Sequence, residues 1–394
     1  MSSLDRLFNI ADFREQARRR LPRGIFEFID RGAEDDEAIR NNLEAFRRIK
    51  LKPCVPVDAS GRSTETTLFG RKLGMPLGIA PTGAAGLVSY GGEVALARAA
   101  AEANIPFTLA TRSMSSIEDM AKAGGTLWFQ QYLWRERDLS FELIDRVNRA
   151  GIQALIVTLD VPVAPNREFN RRNGFTFPFK KSLRSFIDMG LHPVWLATVI
   201  GRYYANGGMP SYESHPGIAD NVTWDDIRAI RKRWPRTLMV KGVLRPEDAL
   251  QAVACGCDGV VVSNHGGRCL DASLAPIDAL PDIVGAVRGK ATVIVDSGVR
   301  RGTDIVKALA LGASAVLSGR PGLYGLAVAG QAGVDKVLGI FRDELSTAMG
   351  QVGCPSVDRI GPQVLHGVAS ATAPARSASF NPPSELVSSM ETAS

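Results

Sequence analysis

Two rhythms divide the chain. In residues 1–70 apolar positions recur at helical spacing: residues 11–29 carry them with Pro22 as a break between two helices, and residues 36–49 repeat the pattern with Arg and Glu on the outer face. From Leu77 onward, short apolar runs rich in β-branched residues end in Gly, Thr, Asp or Ser, and each precedes an amphipathic helical stretch. The predicted strands are 77–80, 106–110, 127–131, 154–159, 238–241, 259–263, 292–296 and 315–318. Helices are predicted at 93–102, 117–123, 139–150, 224–233, 246–254, 276–287, 302–311 and 334–349. Thr223 and Asp226 form a capping-box pattern, and Pro246 and Pro276 suit a first helical turn.

Strands alternating with helices imply a parallel sheet. Eight such units over about 240 residues match an α/β chain closed into a (β/α)8 TIM barrel, for which about 250 residues is typical. An open doubly wound sheet is the alternative, but its GxGxxG marker after the first strand is missing. The expected organisation is an N-terminal helical segment (1–70) packing on the barrel, the barrel itself (71–365), and a flexible tail (366–394) rich in Ser, Ala and Pro. One connection is too long: residues 161–222, after the fourth strand, far exceed an ordinary βα loop. This segment is basic (Arg167, Arg171, Arg172, Lys180, Lys181, Arg184, Arg202), with aromatics expected to be exposed (Phe177, Phe179, Trp195, Tyr203, Tyr204). It reads as an active-site lid, or as a lid that also rests on an anionic membrane, and the pattern leaves both open.

Composition narrows the classes. The 394 residues include 45% hydrophobic and 22% charged residues, which excludes a globally disordered chain. No apolar run approaches the roughly 20 residues of a membrane span, and the charged N-terminus predicts no secretory signal. A net charge of +6 raises anionic partners, but the excess is scattered rather than gathered into a nucleic-acid stripe, so no nucleic acid is expected. Five cysteines without a CxxC pair suit a reducing cytoplasm, and four histidines away from them at ligand spacing predict no metal.

Catalytic groups of such a barrel project from the C-terminal ends of its strands. Those ends hold Pro81-Thr82-Gly83, Gln130 and Tyr132, Thr158 and Asp160, Lys241, residues 263–268, residues 296–300, and Gly319-Arg320, a polar and Gly-rich set that core packing does not demand. DSGVRRG (296–302) opens a helix and SGR (318–320) follows the last strand, so glycine-exposed N–H groups with Arg300 and Arg320 could clamp a phosphate. The plain alternative is two tight turns with solvated arginines. SNHGGRCLD (263–271) puts His265 in a Gly-flanked turn beside Arg268, where Asp160 could hold the ring and favour its charged form. Lys241 closes an apolar strand and needs an anion or polar ligand at the mouth. Arg167, converging with Arg268, would suit a small carboxylate.

The SNHGGRCLD run resembles the SNHGGRQLD signature of the FMN-dependent L-2-hydroxy acid oxidase/dehydrogenase family, and DSGVRRGTDIVKALALGA, WFQQY and IAPTG extend the likeness over roughly residues 5–365. Among members, the chain is most similar to quinone-linked L-lactate dehydrogenases and (S)-mandelate dehydrogenases. The resemblance implies FMN as cofactor, a small 2-hydroxy carboxylate as substrate, a quinone or similar acceptor, and a homo-oligomer, by family habit a tetramer. It implies a cytoplasmic enzyme, in the membrane-contacting case one lying peripherally on the inner face. By position it makes His265 the base and Asp160 its partner. Arg167 and Arg268 would bind the substrate carboxylate, and Tyr132 the substrate's hydroxyl or carboxylate side. Lys241 would sit by the flavin N1–C2=O edge. Pro81, Thr82, Gly83, Gln130, Thr158 and Ser263 would hold the isoalloxazine or ribityl chain, and Asp296, Ser297, Gly298, Arg300, Gly319 and Arg320 the ribityl and phosphate.

Three positions depart from the family pattern. Phe26 stands where many members have a substrate-contacting Tyr, Ala110 replaces a flavin-contacting Ser, and Cys269 replaces the signature's Gln. An oxidase that reduces oxygen to hydrogen peroxide is the close alternative, against which Gly83 leans by resemblance. A flavin-free phosphate-binding isomerase or aldolase, and a basic RNA- or membrane-binding barrel, are remote ones.

Overall fold

The computed structural model describes residues 3–175, 183–208 and 217–367. Eight strands, β3 (Leu77–Ile79), β4 (Pro106–Ala110), β5 (Thr126–Gln131), β6 (Ala154–Thr158), β7 (Thr237–Val243), β8 (Gly259–Val262), β9 (Thr292–Asp296) and β10 (Ala315–Ser318), follow β1 (Thr66–Leu68) and β2 (Arg71–Leu73). The eight close into a barrel in chain order, all parallel, and β10 pairs back onto β3. The predicted (β/α)8 barrel is therefore the fold. Pairing of β10 with β3 leaves no edge strand, so the open-sheet alternative is set aside.

Side chains of period two sort the strands' two faces. Ala154 and Ile156 of β6 join Trp128, Met239, Val261, Ile294 and Leu317 in a cluster that fills the barrel, while Leu155 and Val157 join the layer beneath the helices. The antiparallel hairpin β1–β2 escaped the sequence reading because three-residue strands carry too little periodicity. Its Leu68, Leu73 and Phe69 join the interior cluster and plug the barrel's N-terminal end.

At the opposite end the N-terminal helices close in. The helix Ile10–Arg20 starts where the Asn9 side chain accepts from the Asp12 N–H (3.0 Å), and buries Phe13 and Ala17 against the last helix. The helix Glu37–Arg48 packs on Pro276–Val287. That last helix runs Arg320–Gln351, longer than the predicted 334–349; residues 329–330 break it, with Gly330 at φ +59°. The Thr223–Asp226 capping box forms as the residue types require.

The segment after β6 contains the helices Glu168–Asn173, Leu183–Gly190 and Pro193–Trp195, a π-helical turn Leu196–Gly201, and Arg202–Ala205. Here two expectations fail. Trp195 and Tyr203 are buried, because the Trp195 indole donates to the Leu87 carbonyl (2.8 Å) and the Tyr203 hydroxyl to Gly86 (3.3 Å). Each finds a polar partner for its one polar atom, so the apolar body can leave water. Tyr204 is exposed as expected. Phe177, Phe179, Lys180, Lys181, the side chain of Arg184 and residues 368–394 of the tail lie outside the described residues.

Candidate active site

A cavity of about 780 Å³ opens at the C-terminal mouth of the barrel, under the segment that follows β6. The turn after β8 enters it with His265, Gly266 and Gly267 all left-handed (φ +59°, +68° and +72°). Glycine is required at the second and third positions: a Cβ on Gly266 would lie 2.7 Å from Arg320 Nη1, and one on Gly267 2.8 Å from the Ile39 backbone N. His265 holds that conformation without being glycine, a strain of about 1–3 kcal/mol that surrounding bonds must offset.

Those bonds fix the ring. Its backbone N–H donates to Ser263 Oγ (2.9 Å). Nδ1 lies 2.8 Å from Asp160 Oδ1, and Nε2 3.3 Å from the Tyr132 hydroxyl. Burial, the largest single influence, would raise the Asp160 carboxyl, but the His265 charge and hydrogen bond together with the Lys241 charge hold it below its usual range. An ionised carboxylate only accepts, so Nδ1 carries a hydrogen. Burial, the largest single influence, disfavours the imidazolium as well, yet the Asp160 charge with the Tyr132 and Cys269 groups raises the His265 pKa well above the ordinary histidine range. Asp160 sits behind the imidazole rather than on the cavity wall, with Oδ2 buried and unpartnered. The Cys269 thiol is nearby, within 4.8 Å of ligand atoms of Asp160 and His265.

Lys241, at the mouth end of β7, finds the anion that its apolar strand demands. Its Nζ lies 2.9 Å from Asp296 Oδ2 and donates to Ser263 Oγ (2.8 Å), which in turn donates to Asp296 (2.7 Å). Ser263, one residue past β8, is buried, and its hydroxyl is engaged by Lys241, Asp296 and the His265 N–H. Gln130 and Thr158 line the cavity, joined by a 3.0 Å bond from the Gln130 amide.

Two arginines line the same cavity as the imidazole. The Arg268 guanidinium donates to the carbonyls of Phe28 (2.6 Å) and Arg31 (2.8 Å), and Arg167 donates to the Arg268 carbonyl (3.2 Å). Burial, then the like charges of Arg167 and Arg320, push the Arg268 pKa well down, so the site holds cationic charge that its own carbonyls do not neutralise. Phe26 does not reach this wall. It is buried beneath Arg14, whose guanidinium carbon is 5.7 Å from its ring, and Phe28 lines the cavity instead, two residues on and therefore on another helix face.

The residues expected to clamp a phosphate line the same cavity. Ser297 and Gly298 are left-handed (φ +85° and +88°), and with Arg300, Gly319 and Arg320 they line the far end of the cavity. Pro81, Thr82 and Gly83 face them from the top of β3. Ser318 Oγ, on the same wall, is buried without a partner. Burial lowers the Arg320 pKa and Arg300 adds a like charge. An orphaned hydroxyl, glycine turns and two guanidinium groups with no salt bridge among the described residues fit a phosphate-bearing cofactor such as FMN.

Sequence reading missed several wall residues. Arg112 lies two residues past the end of β4, an end whose polar groups were passed over, while Asn170 and Arg171 share a short helix with Arg167 and had no periodic signal. It also missed how the motif is held. Asp271 accepts from the Asp35 and Ala38 N–H groups (3.0 and 2.9 Å), and Asn264 exchanges side-chain hydrogen bonds with Asn42 (2.9 and 2.7 Å). Half of the motif therefore pins the N-terminal helices over the mouth.

Comparison with known proteins agrees with this geometry. Residues 17–367 match the family model described as FMN-dependent dehydrogenase. The chain is 40% identical to (S)-mandelate dehydrogenase of Pseudomonas putida, covering 91% of this chain and 94% of that one. It is 41% identical to L-lactate oxidase of Nostoc sp., covering 93% and 100%. Among solved structures, the monotopic membrane protein (S)-mandelate dehydrogenase superimposes with a TM-score of 0.87 at 38% identity, covering 92% of this chain and all of that one. The chain belongs to the FMN-dependent dehydrogenase family of 2-hydroxy acid dehydrogenases and oxidases.

Proposed function

We propose that the enzyme oxidises an L-2-hydroxy acid of the lactate or mandelate kind to the 2-oxo acid, and that the electrons leave to a quinone or similar acceptor. The observation that carries this reading is that His265, held from behind by Asp160, lines the same cavity as two arginines, Arg167 and Arg268, which are bonded to each other. The arginines bind and orient the α-carboxylate, since forked cations neutralise it and fix the C2 carbon relative to the imidazole. Neutral His265 takes up one of the two protons lost as the C2–H and O–H bonds give way to a C=O bond. Asp160 orients the ring and stabilises the imidazolium that results. Tyr132, 3.3 Å from Nε2, marks where the substrate hydroxyl is received. Ser297, Gly298, Arg300, Gly319 and Arg320 would hold the FMN phosphate and ribityl, and Lys241 would lie against the flavin ring. FMN, when bound, supplies the two-electron acceptor.

Anaerobic addition of L-2-hydroxy acids to the flavin-loaded enzyme should bleach the visible flavin band within the mixing time of a turnover assay. A flavin left oxidised by lactate, mandelate and longer homologues alike would overturn the assignment. Re-oxidation then separates acceptors: a quinone analogue should restore the colour much faster than dissolved oxygen, whereas equal or faster recovery in oxygen favours the oxidase reading that L-lactate oxidase and mandelate oxidase among the similar proteins keep in view.

A peripheral membrane position, on the inner face, belongs to the same reading. Phe186, Ile187, Leu191, Val194 and Tyr204 expose apolar side chains within one excursion of a basic segment. Among the described residues no helix is long and apolar enough to cross a membrane.

A further inference from the structure

Among the described residues, eight cationic ones line the cavity against two carboxylates. Six of the cations have evident counter-charges within the proposed function, on which this inference rests. Lys241 pairs with Asp296 and Arg135 with Asp220 (3.3 Å). Arg300 and Arg320 answer a phosphate, and Arg167 and Arg268 answer an α-carboxylate. Arg112 and Arg171 are left over, and neither guanidinium makes a hydrogen bond or ion pair among the described residues.

Their placement is not that of scattered surface charge. Arg112 follows β4, and its backbone is locked against the top of β3: the Ala84 N–H donates to its carbonyl (3.0 Å), and a Cβ on Gly83 would lie 3.2 Å from that oxygen. Its charge reaches Arg167, whose pKa burial lowers first and Arg112 lowers further. Arg171 lies four residues beyond Arg167 and one beyond Asn170, so the helix Glu168–Asn173 turns all three toward the cavity from one side. The Asn170 side-chain oxygen is buried and has no hydrogen-bond partner. That oxygen lacks a donor where it stands, and rotation of the amide would turn its N–H₂ to an anion in the cavity that Arg112 and Arg171 also line.

We propose that Arg112, Arg171 and Asn170 form a second anion subsite at the outer wall of the cavity, and that the substrate is an L-2-hydroxy dicarboxylic acid whose distal carboxylate docks there. The C2 end is bound and oxidised as for any 2-hydroxy acid, and the subsite contributes affinity for a charged chain end over a neutral one.

The test compares flavin bleaching by L-2-hydroxyglutarate with bleaching by its 5-amide, a neutral isostere, and by L-lactate and L-mandelate, anaerobically and below saturation with the flavin-loaded enzyme. The acid should exceed its amide by about two- to fivefold in second-order rate, the size of a partly exposed ion pair. That ratio should shrink as salt rises. It should fall toward unity in Arg112→Gln and decrease in Arg171→Gln, with flavin content checked by absorbance in both. An amide or monocarboxylate that bleaches as fast as the diacid overturns the subsite while leaving the 2-hydroxy acid activity standing. An acid-over-amide ratio that survives both substitutions, with the variants instead released from anionic vesicles, assigns the two arginines to a lipid surface and also overturns it. Failure of every hydroxy acid to bleach the flavin would instead defeat the underlying function.

Discussion

At the scale of single residues, the left-handed His265 concentrates the chemistry. Its strained backbone aims Nε2 at the mouth, and the Asp160 bond behind it sets both tautomer and charge. His265→Gln should keep the bound flavin, because no cofactor-corner residue depends on the ring, yet lower turnover by orders of magnitude; flavin reduction at near wild-type rate would remove the base assignment. The raised pKa also fixes the sign of the pH response. A base must be neutral, so flavin reduction should rise with pH as the imidazolium gives up its proton. In Asp160→Asn the charge that holds that proton is gone while burial still disfavours the cation. The acid limb of the rate profile should therefore move to lower pH, with a lower plateau because the ring is less well held. An acid limb unmoved, or moved upward, would contradict the pairing.

Among the elements, β7 shows how backbone irregularity serves the site. Its register against β8 shifts between Lys241 and Val243, and Gly242 at the bulge is left-handed (φ +101°). The bulge lets Lys241 reach Asp296 while the Gly242 backbone lies under Asp160, where a Cβ would come within 2.5 Å of the carboxylate carbon. Gly242→Ala should push Asp160 from the imidazole and reproduce the displaced pH profile of Asp160→Asn in a protein that still binds flavin. Its backbone strain should add about 1–3 kcal/mol of destabilisation, read from thermal or denaturant unfolding. An alanine variant with an unaltered profile would mean that Asp160 is held from elsewhere. The same scale explains which elements the sequence could announce. Strands such as 154–158 are unbroken runs buried on both faces, and their identity is legible in composition. The helix portion following Arg320 was not, because its Gly-rich start lacks an amphipathic stripe and it is buried nearly all round.

The whole molecule joins a rigid barrel to a basic, apolar-tipped excursion. If that excursion rests on a membrane, Leu191→Glu with Val194→Glu should abolish co-sedimentation with anionic vesicles while leaving flavin reduction in solution intact, since both side chains are exposed (73% and 72%) and neither lines the cavity. Unchanged sedimentation would assign those side chains to another contact. Trp195 and Tyr203 offer the counter-lesson. From the sequence they were indistinguishable from Tyr204, and only packing onto Gly86 and Leu87, more than a hundred positions away, takes the first two out of water.

The order of apolar runs and turns was enough to specify a parallel eightfold barrel, because strand and helix periods are local and a chain with that alternation has few other ways to bury its faces. The strand-end motifs likewise named His265, Arg268, Lys241 and the phosphate corner, since position after a strand dictates which mouth a residue faces. What required three dimensions were the relations between distant segments: Asp160 behind the ring rather than on the wall, Ser263 engaged by Lys241 and Asp296, Phe28 in place of Phe26, and Arg112 on the same cavity as Arg171. Each depends on which of many polar groups comes within about 3 Å of another, a distance that strand register and helix rotation determine and that linear spacing does not encode.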